Sequence, residues 1–178
     1  MLMLSRFFSI LGCFLLFTSI MFAQKVTTSK FGDISYEMTQ KQVAALTPNK
    51  LALYDVNNPE MPEQDIELNG IKYHISYYKN LKTKQFEVYT VSSVSAQLST
   101  LSGIKIGSSL DDLWKAYKKY DISVQDIFED DETKSFRAFA INDLDNGCTL
   151  DFYLKNNKVV KMVLSNESGF LNNNIYEN

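Results

Sequence analysis

The chain is poor in the residues that usually announce chemistry. Its 178 residues contain one histidine, two cysteines and three prolines. A zinc site normally draws on several His or Cys ligands, so His74, Cys13 and Cys148 cannot assemble one in the usual way. Ser-His-Asp catalysis could use only His74, and no serine sits in a recognisable nucleophile elbow. There is no Lys/Arg block and the formal net charge is -3. That argues against nucleic acid and against electrostatic membrane binding.

What the chain does have begins at its start. Arg6 precedes an apolar run, Phe7 to Phe22, broken only by Ser9, Gly12, Thr18 and Ser19; Ala23 then offers a small residue before Gln24. This reads as a signal peptide over residues 1–23, cleaved before Gln24, which places the remainder in the periplasm or outside the cell. Two alternatives share the same residues. The run approaches the length of a membrane anchor. Ile10-Leu11-Gly12-Cys13 also resembles a lipobox, which would tie the protein to the outer membrane by a lipid on Cys13. Cys13, however, lies inside the apolar run, and Phe14 to Phe22 would trail behind the lipid. A membrane association therefore follows only from lipidation or from an uncleaved signal. After cleavage Cys148 is alone, no internal disulfide can form, and the core must suffice. Cys148 itself reads as a small buried hydrophobe.

Past Gln24 the pattern alternates between short helices and strands. Thr39 caps a short helix that ends before Pro48. Pro59 and Pro62 mark a loop. Ile66 and Leu68 lead through Asn69-Gly70 to a strand over 71–78, with Tyr73, Ile75 and Tyr77 on one face and Lys72, His74, Ser76 and Tyr78 on the other. A further strand runs over 86–94. Gly103 to Gly107 reads as a short strand and hinge. Ser109 with Asp112 forms a capping box, and Leu110, Leu113, Trp114 and Tyr117 make one apolar stripe that puts Trp114 in the core. Residues 126–132 read as an acidic loop, 136–141 as a strand, and 143–147 as a turn. Asn156-Asn157 joins strands over 149–154 and 159–164.

This order suggests an α+β fold of two similar halves, each a short helix packed on an antiparallel sheet. The halves span 24–98 and 99–166, followed by a polar tail over 167–178. Superposing Gly70 on Gly147 aligns Tyr73 with Leu150, Ile75 with Phe152 and Tyr77 with Leu154.

The run Gly103-x-x-x-Gly107-Ser108-Ser109-x-x-Asp112-Leu113-x-x-x-Tyr117, followed by strands, resembles the repeat unit of β-lactamase-inhibitor-protein-like domains. A similar unit occurs in small outer-membrane assembly lipoproteins of the SmpA/OmlA type. The resemblance covers Ile104 to Leu164 best, and the first half lacks the glycine before its cap. It implies a helix-backed sheet that presents a face to a partner protein, and it carries over no catalytic residue.

Carboxylates are the remaining route to chemistry. Asp143-x-Asp145-Asn146-Gly147 resembles the opening of a calcium loop, but the twelfth position is Leu154 where such a loop needs a bidentate Glu. A turn is the better reading. No metal, cofactor or catalytic residue is expected. Exposed aromatic side chains on a rigid sheet suit protein recognition. The expected partner-binding residues are therefore Tyr78 and Tyr153 on polar strand faces, His74 beside them, and Glu129 and Asp131 in the acidic loop. The function this implies is a non-enzymatic, inhibitor-type or immunity-like protein that blocks a protein partner in the bacterial envelope. The alternatives are a structural role in outer-membrane or envelope assembly, and a carboxylate-dependent hydrolase.

Overall fold

The computed structural model describes residues 24–49, 51–55, 57, 62–128 and 135–166. The signal segment with Cys13, the tail over 167–178, and Glu129 and Asp131 lie outside the described residues. Short strands open the described part: β1 Gln24–Val26, β2 Lys30–Phe31 and β3 Ile34–Ser35. Helix α1 covers Gln40–Ala45, and four strands follow: β4 Glu63–Leu68, β5 Ile71–Asn80, β6 Gln85–Ser93 and β7 Leu98–Thr100. Helix α2 covers Leu110–Tyr117, followed by β8 Ile122–Phe128, β9 Ser135–Asp143, β10 Cys148–Lys155 and β11 Lys158–Asn166.

The strands form two sheets. One has seven strands in the order β4-β5-β6-β11-β10-β9-β8, and the other has four in the order β3-β2-β1-β7. This overturns the expected division into two helix-on-sheet halves. Among the described residues the two helices have only six and eight residues, and the structure is mostly strand. The decisive contact is β6 against β11, which runs from Thr90↔Ser165 to Ser93↔Met162. That pairing makes one continuous sheet of strands from both ends of the chain. A second long-range pairing sets β1 parallel to β7, with Gln24 opposite Leu98.

Local chemistry explains the tight connections. Asn69 and Gly70 have φ of 52° and 77°, and Asn156 and Asn157 have φ of 51° and 59°. Positive φ at both central residues is the hairpin turn whose twist matches its strands. The segment over 103–107 is not a strand. Gly103 and Gly107 turn the chain at φ of 83° and 90°, and only Lys105 bridges, to Ser99. Asp126, read as part of a loop, lies in β8 opposite Arg137. Ile122 and Val124 alternate with Ser123 and Gln125, but Asp126 takes the next apolar position, breaks the alternation and hides the strand.

One hydrophobic cluster sits between the two sheets and the helices. It takes Tyr73, Ile75 and Tyr77 from β5, Leu150, Phe152 and Leu154 from β10, and Phe31 and Leu98 from the small sheet. Two bulges adjust which residues reach it. Ser76 pairs with Thr90 but Tyr77 pairs with Val88, so Tyr89 is the extra residue. Parity then changes, and β6 buries Phe86, Val88 and Val91. The same step occurs at Val160, between Tyr153↔Lys161 and Leu154↔Val159, and β11 buries Val159 and Met162.

Helix α2 lies on β9 and β10. Leu113 is fully buried, and the Tyr117 ring stacks on Phe152 with centroids 5.9 Å apart. Trp114 departs from its expected core position. It meets Phe139 edge-on at 5.3 Å yet remains 42% exposed, because the helix is short and lies near the sheet's β8 edge. Among the described residues no helix is long and apolar enough to cross a membrane. The expected capping box is present: Ser109 Oγ accepts from the Asp112 N–H at 3.2 Å, and the Asp112 carboxylate accepts from the Ser109 N–H at 2.9 Å. Ser109→Ala should cost about 1 kcal/mol of stability in urea unfolding. No loss would show that packing alone holds the helix.

Candidate functional site

The face of the seven-stranded sheet opposite the core gathers part of the expected site. Register places Asp65, His74 and Ser92 in one row across β4, β5 and β6, with Val163 of β11 next. Nδ1 of His74 lies 2.8 Å from Asp65 Oδ1, and Nε2 lies 3.6 Å from Glu63 Oε2. Both pairs are open to solvent, where ion pairs contribute little. Asp65, Glu67, Lys72, His74, Ser92 and Lys161 line a cleft of about 570 Å³. The Lys161 ammonium sits 5.8 Å from the centroid of the Tyr153 ring. His74 and Tyr153, far apart in sequence, therefore share one surface through Lys161.

Tyr78 lies on the same face but is only 5% exposed. Its hydroxyl donates to Glu87 Oε2 at 2.9 Å, and its ring meets Tyr89 edge-on. The bulge at Tyr89 brings that ring beside Tyr78. Tyr78 thus serves packing and offers little surface to a partner. The notion that it is an exposed contact is corrected.

A second cleft, of about 550 Å³, was not foreseen. It lies where the small sheet, the end of α2 and the β9–β10 turn meet. Tyr117 stands in its floor and donates to Thr100 Oγ1 at 2.7 Å. Its lining includes Leu101, Tyr120 and Leu144, which are 75%, 61% and 81% exposed. Asp121, Asp143 and Asp145 also line it, with no lysine or arginine.

Asp143 shows what these acids do. Its Oδ2 accepts from the Thr28 hydroxyl at 2.5 Å and from the Asn146 amide at 3.0 Å. Its Oδ1 accepts from the N–H groups of Asp145 and Asn146. The Thr28 hydrogen bond foremost, helped by those of Asn146 and Asp145 and opposed by slight burial, holds this carboxyl below the usual range. Both oxygens are committed to building the turn and joining it to the N-terminal segment. Asp143 therefore keeps a fixed negative charge at the rim, and its lone pairs are not free for substrate.

Other chemistry-bearing groups are placed as follows. Cys148 is 1% exposed, and burial first, then the nearby carboxylates of Asp143 and Glu37, pushes its thiol up to about 12. It is a core residue with no thiolate at neutral pH. Among the described residues no group of three or more His, Cys, Asp and Glu side chains could hold a metal ion. The sequence contained one sign of the second cleft: Leu144 interrupts a turn of Asp, Asn and Gly. Its partners Leu101 and Tyr120 are found only through the fold. Neither a known protein family, a curated protein nor a solved structure matches the chain.

Proposed function

We propose that this protein is exported and acts in the envelope as a non-enzymatic, inhibitor-type binding protein that occludes a protein partner. The observation that carries this reading is the gathering of Leu101, Tyr120 and Leu144 around one acidic cleft. Large apolar side chains that water surrounds on a turn gain free energy when a partner covers them. Their clustering is the usual mark of an interaction site. Aromatic and apolar anchors ringed by charge are where binding energy concentrates. The three aspartates favour a basic partner and would speed its approach. The resemblance of residues 104–164 to inhibitor-type repeat domains supports the same reading. His74, Lys161 and Tyr153 supply a separate polar surface on the face of the large sheet away from the core.

Residues 24–178, tagged, should capture one stoichiometric enzyme from envelope extract, and that enzyme should lose activity when bound. The Leu101→Ser/Leu144→Ser variant should bind it at least about 30-fold more weakly, the loss expected when hot-spot contacts worth about 2 kcal/mol are removed. Equal capture by both proteins would sink the assignment of the cleft. Capture of no partner by the unaltered chain would count against the binding reading itself.

A further inference from the structure

The residue expected to begin the exported chain is held by its side chain. Gln24 is the first residue of β1 and is partly buried. Its Oε1 accepts from the Tyr73 hydroxyl at 2.6 Å, and its Nε2 donates to Asp33 Oδ2 at 2.8 Å. Tyr73 is 1% exposed, and burial, then the charge of Asp33, pushes its hydroxyl well above the ordinary value. It stays a protonated donor at any physiological pH. Gly32 completes the cradle. A Cβ there would lie 2.7 Å from Gln24 Oε1 and 2.5 Å from the Tyr73 oxygen. The Tyr73 hydroxyl polarises the amide carbonyl toward attack at Cδ, and the Asp33 carboxylate lies against the nitrogen that would leave.

We propose that Gln24 is a self-modifying site: once cleavage after Ala23 frees its α-amine, that amine closes on the side-chain amide to give pyroglutamate, assisted by Tyr73 and Asp33. The inference rests on the export reading. The α-ammonium gives up two protons on the way to a lactam N–H. One passes through the Asp33 carboxylate to Nε2, and the other goes to solvent. The α-nitrogen bonds to Cδ, and the developing oxyanion keeps the Tyr73 hydrogen bond. The Cδ–Nε2 bond then breaks and ammonia leaves. No oxidant, reductant or cofactor enters. The lactam oxygen is the one Tyr73 already holds, so that bond survives in the product. Asp33 loses its Gln24 donor but keeps the Asn69 amide at 3.3 Å. Closure is intramolecular, between the α-nitrogen and Cδ of one residue, and forms a five-membered ring.

Intact mass and N-terminal sequencing of the protein isolated from its envelope test the modification. A blocked chain that starts at residue 24 and is lighter by one ammonia is the expected result. A chain that starts at residue 24 with an unmodified glutamine overturns the cyclisation and leaves the export reading standing. A chain with residues 1–23 still attached overturns the export reading and the proposal together. The role of the cradle is read from purified protein that a site-specific protease has released to start at Gln24. Folded protein should lose ammonia at least about tenfold faster than the same protein in urea, and Asp33→Asn and Tyr73→Phe should each slow it about tenfold. Asp33→Asn lies in a turn, so the test survives if Tyr73→Phe fails to fold. Equal rates in folded protein, unfolded protein and Asp33→Asn would overturn assistance by Tyr73 and Asp33.

Discussion

Phe152→Ala is expected to remove about 3–5 kcal/mol of stability, the cost of deleting a buried ring and leaving its cavity. Phe152 has no exposed surface, and its ring lies between Tyr117 of α2 and Phe139 of β9, at 5.9 and 6.5 Å. It joins the helix to the sheet at the point where the second cleft is supported from below. Domains of this size are stable by about 5–15 kcal/mol, so the loss is about a fifth of the total or more. At roughly 2–4 °C per kcal/mol, the melting temperature should fall by about 10 °C. Trp114 is the sole tryptophan and touches Phe139, so its fluorescence reports the transition directly. Leu144→Ala is the control. Its side chain is 81% exposed, and the change should stay within about 0.5 kcal/mol. If the two variants melted together, Phe152 would not be the centre of the core.

Gly32→Ala is expected to cost about 2–5 kcal/mol, from two terms that a second glycine separates. Gly32 has φ of 65°, where an L side chain is strained by about 1–2 kcal/mol. The new Cβ would also meet the Tyr73 oxygen at 2.5 Å and Tyr73 Cζ at 3.3 Å. Tyr73 is enclosed in the core and cannot retreat without disturbing Phe31, whose ring it meets edge-on at 6.3 Å. Overpacking of this kind adds about 1–3 kcal/mol. Gly70 has φ of 77° and nothing within 4 Å of an added Cβ, so Gly70→Ala carries the backbone term alone. Urea midpoints for the two variants should therefore differ by the clash term. Equal midpoints would mean that β2, β3 and their turn can shift away from the sheet at little cost.

Much of the local structure follows from short-range chemistry and is legible in the chain. Asn69-Gly70 and Asn156-Asn157 specify hairpin turns because Asn and Gly tolerate positive φ. Thr39 and Ser109 specify helix starts because their hydroxyls satisfy free N–H groups. Alternation over 71–75 and 149–154 specifies which side chains reach the core, since successive residues point to opposite faces. Burial of Cys148 follows from its character as a small, weakly polar side chain. The tertiary structure alone decided the rest. Pairing of β6 with β11 fused the expected halves into one sheet, and no local signal encodes which strands meet. Bulges at Tyr89 and Val160 shifted the buried parity, and the first of them set Tyr89 against Tyr78. The charged and polar residues of β8 concealed a strand that β9 supplies with its hydrogen bonds. Leu101, Tyr120 and Leu144 are spread along the chain, and they become one rim only because β7, α2 and the β9–β10 turn converge. Turns and caps are settled by neighbours in sequence, whereas surfaces are made by residues that only long-range pairing brings together.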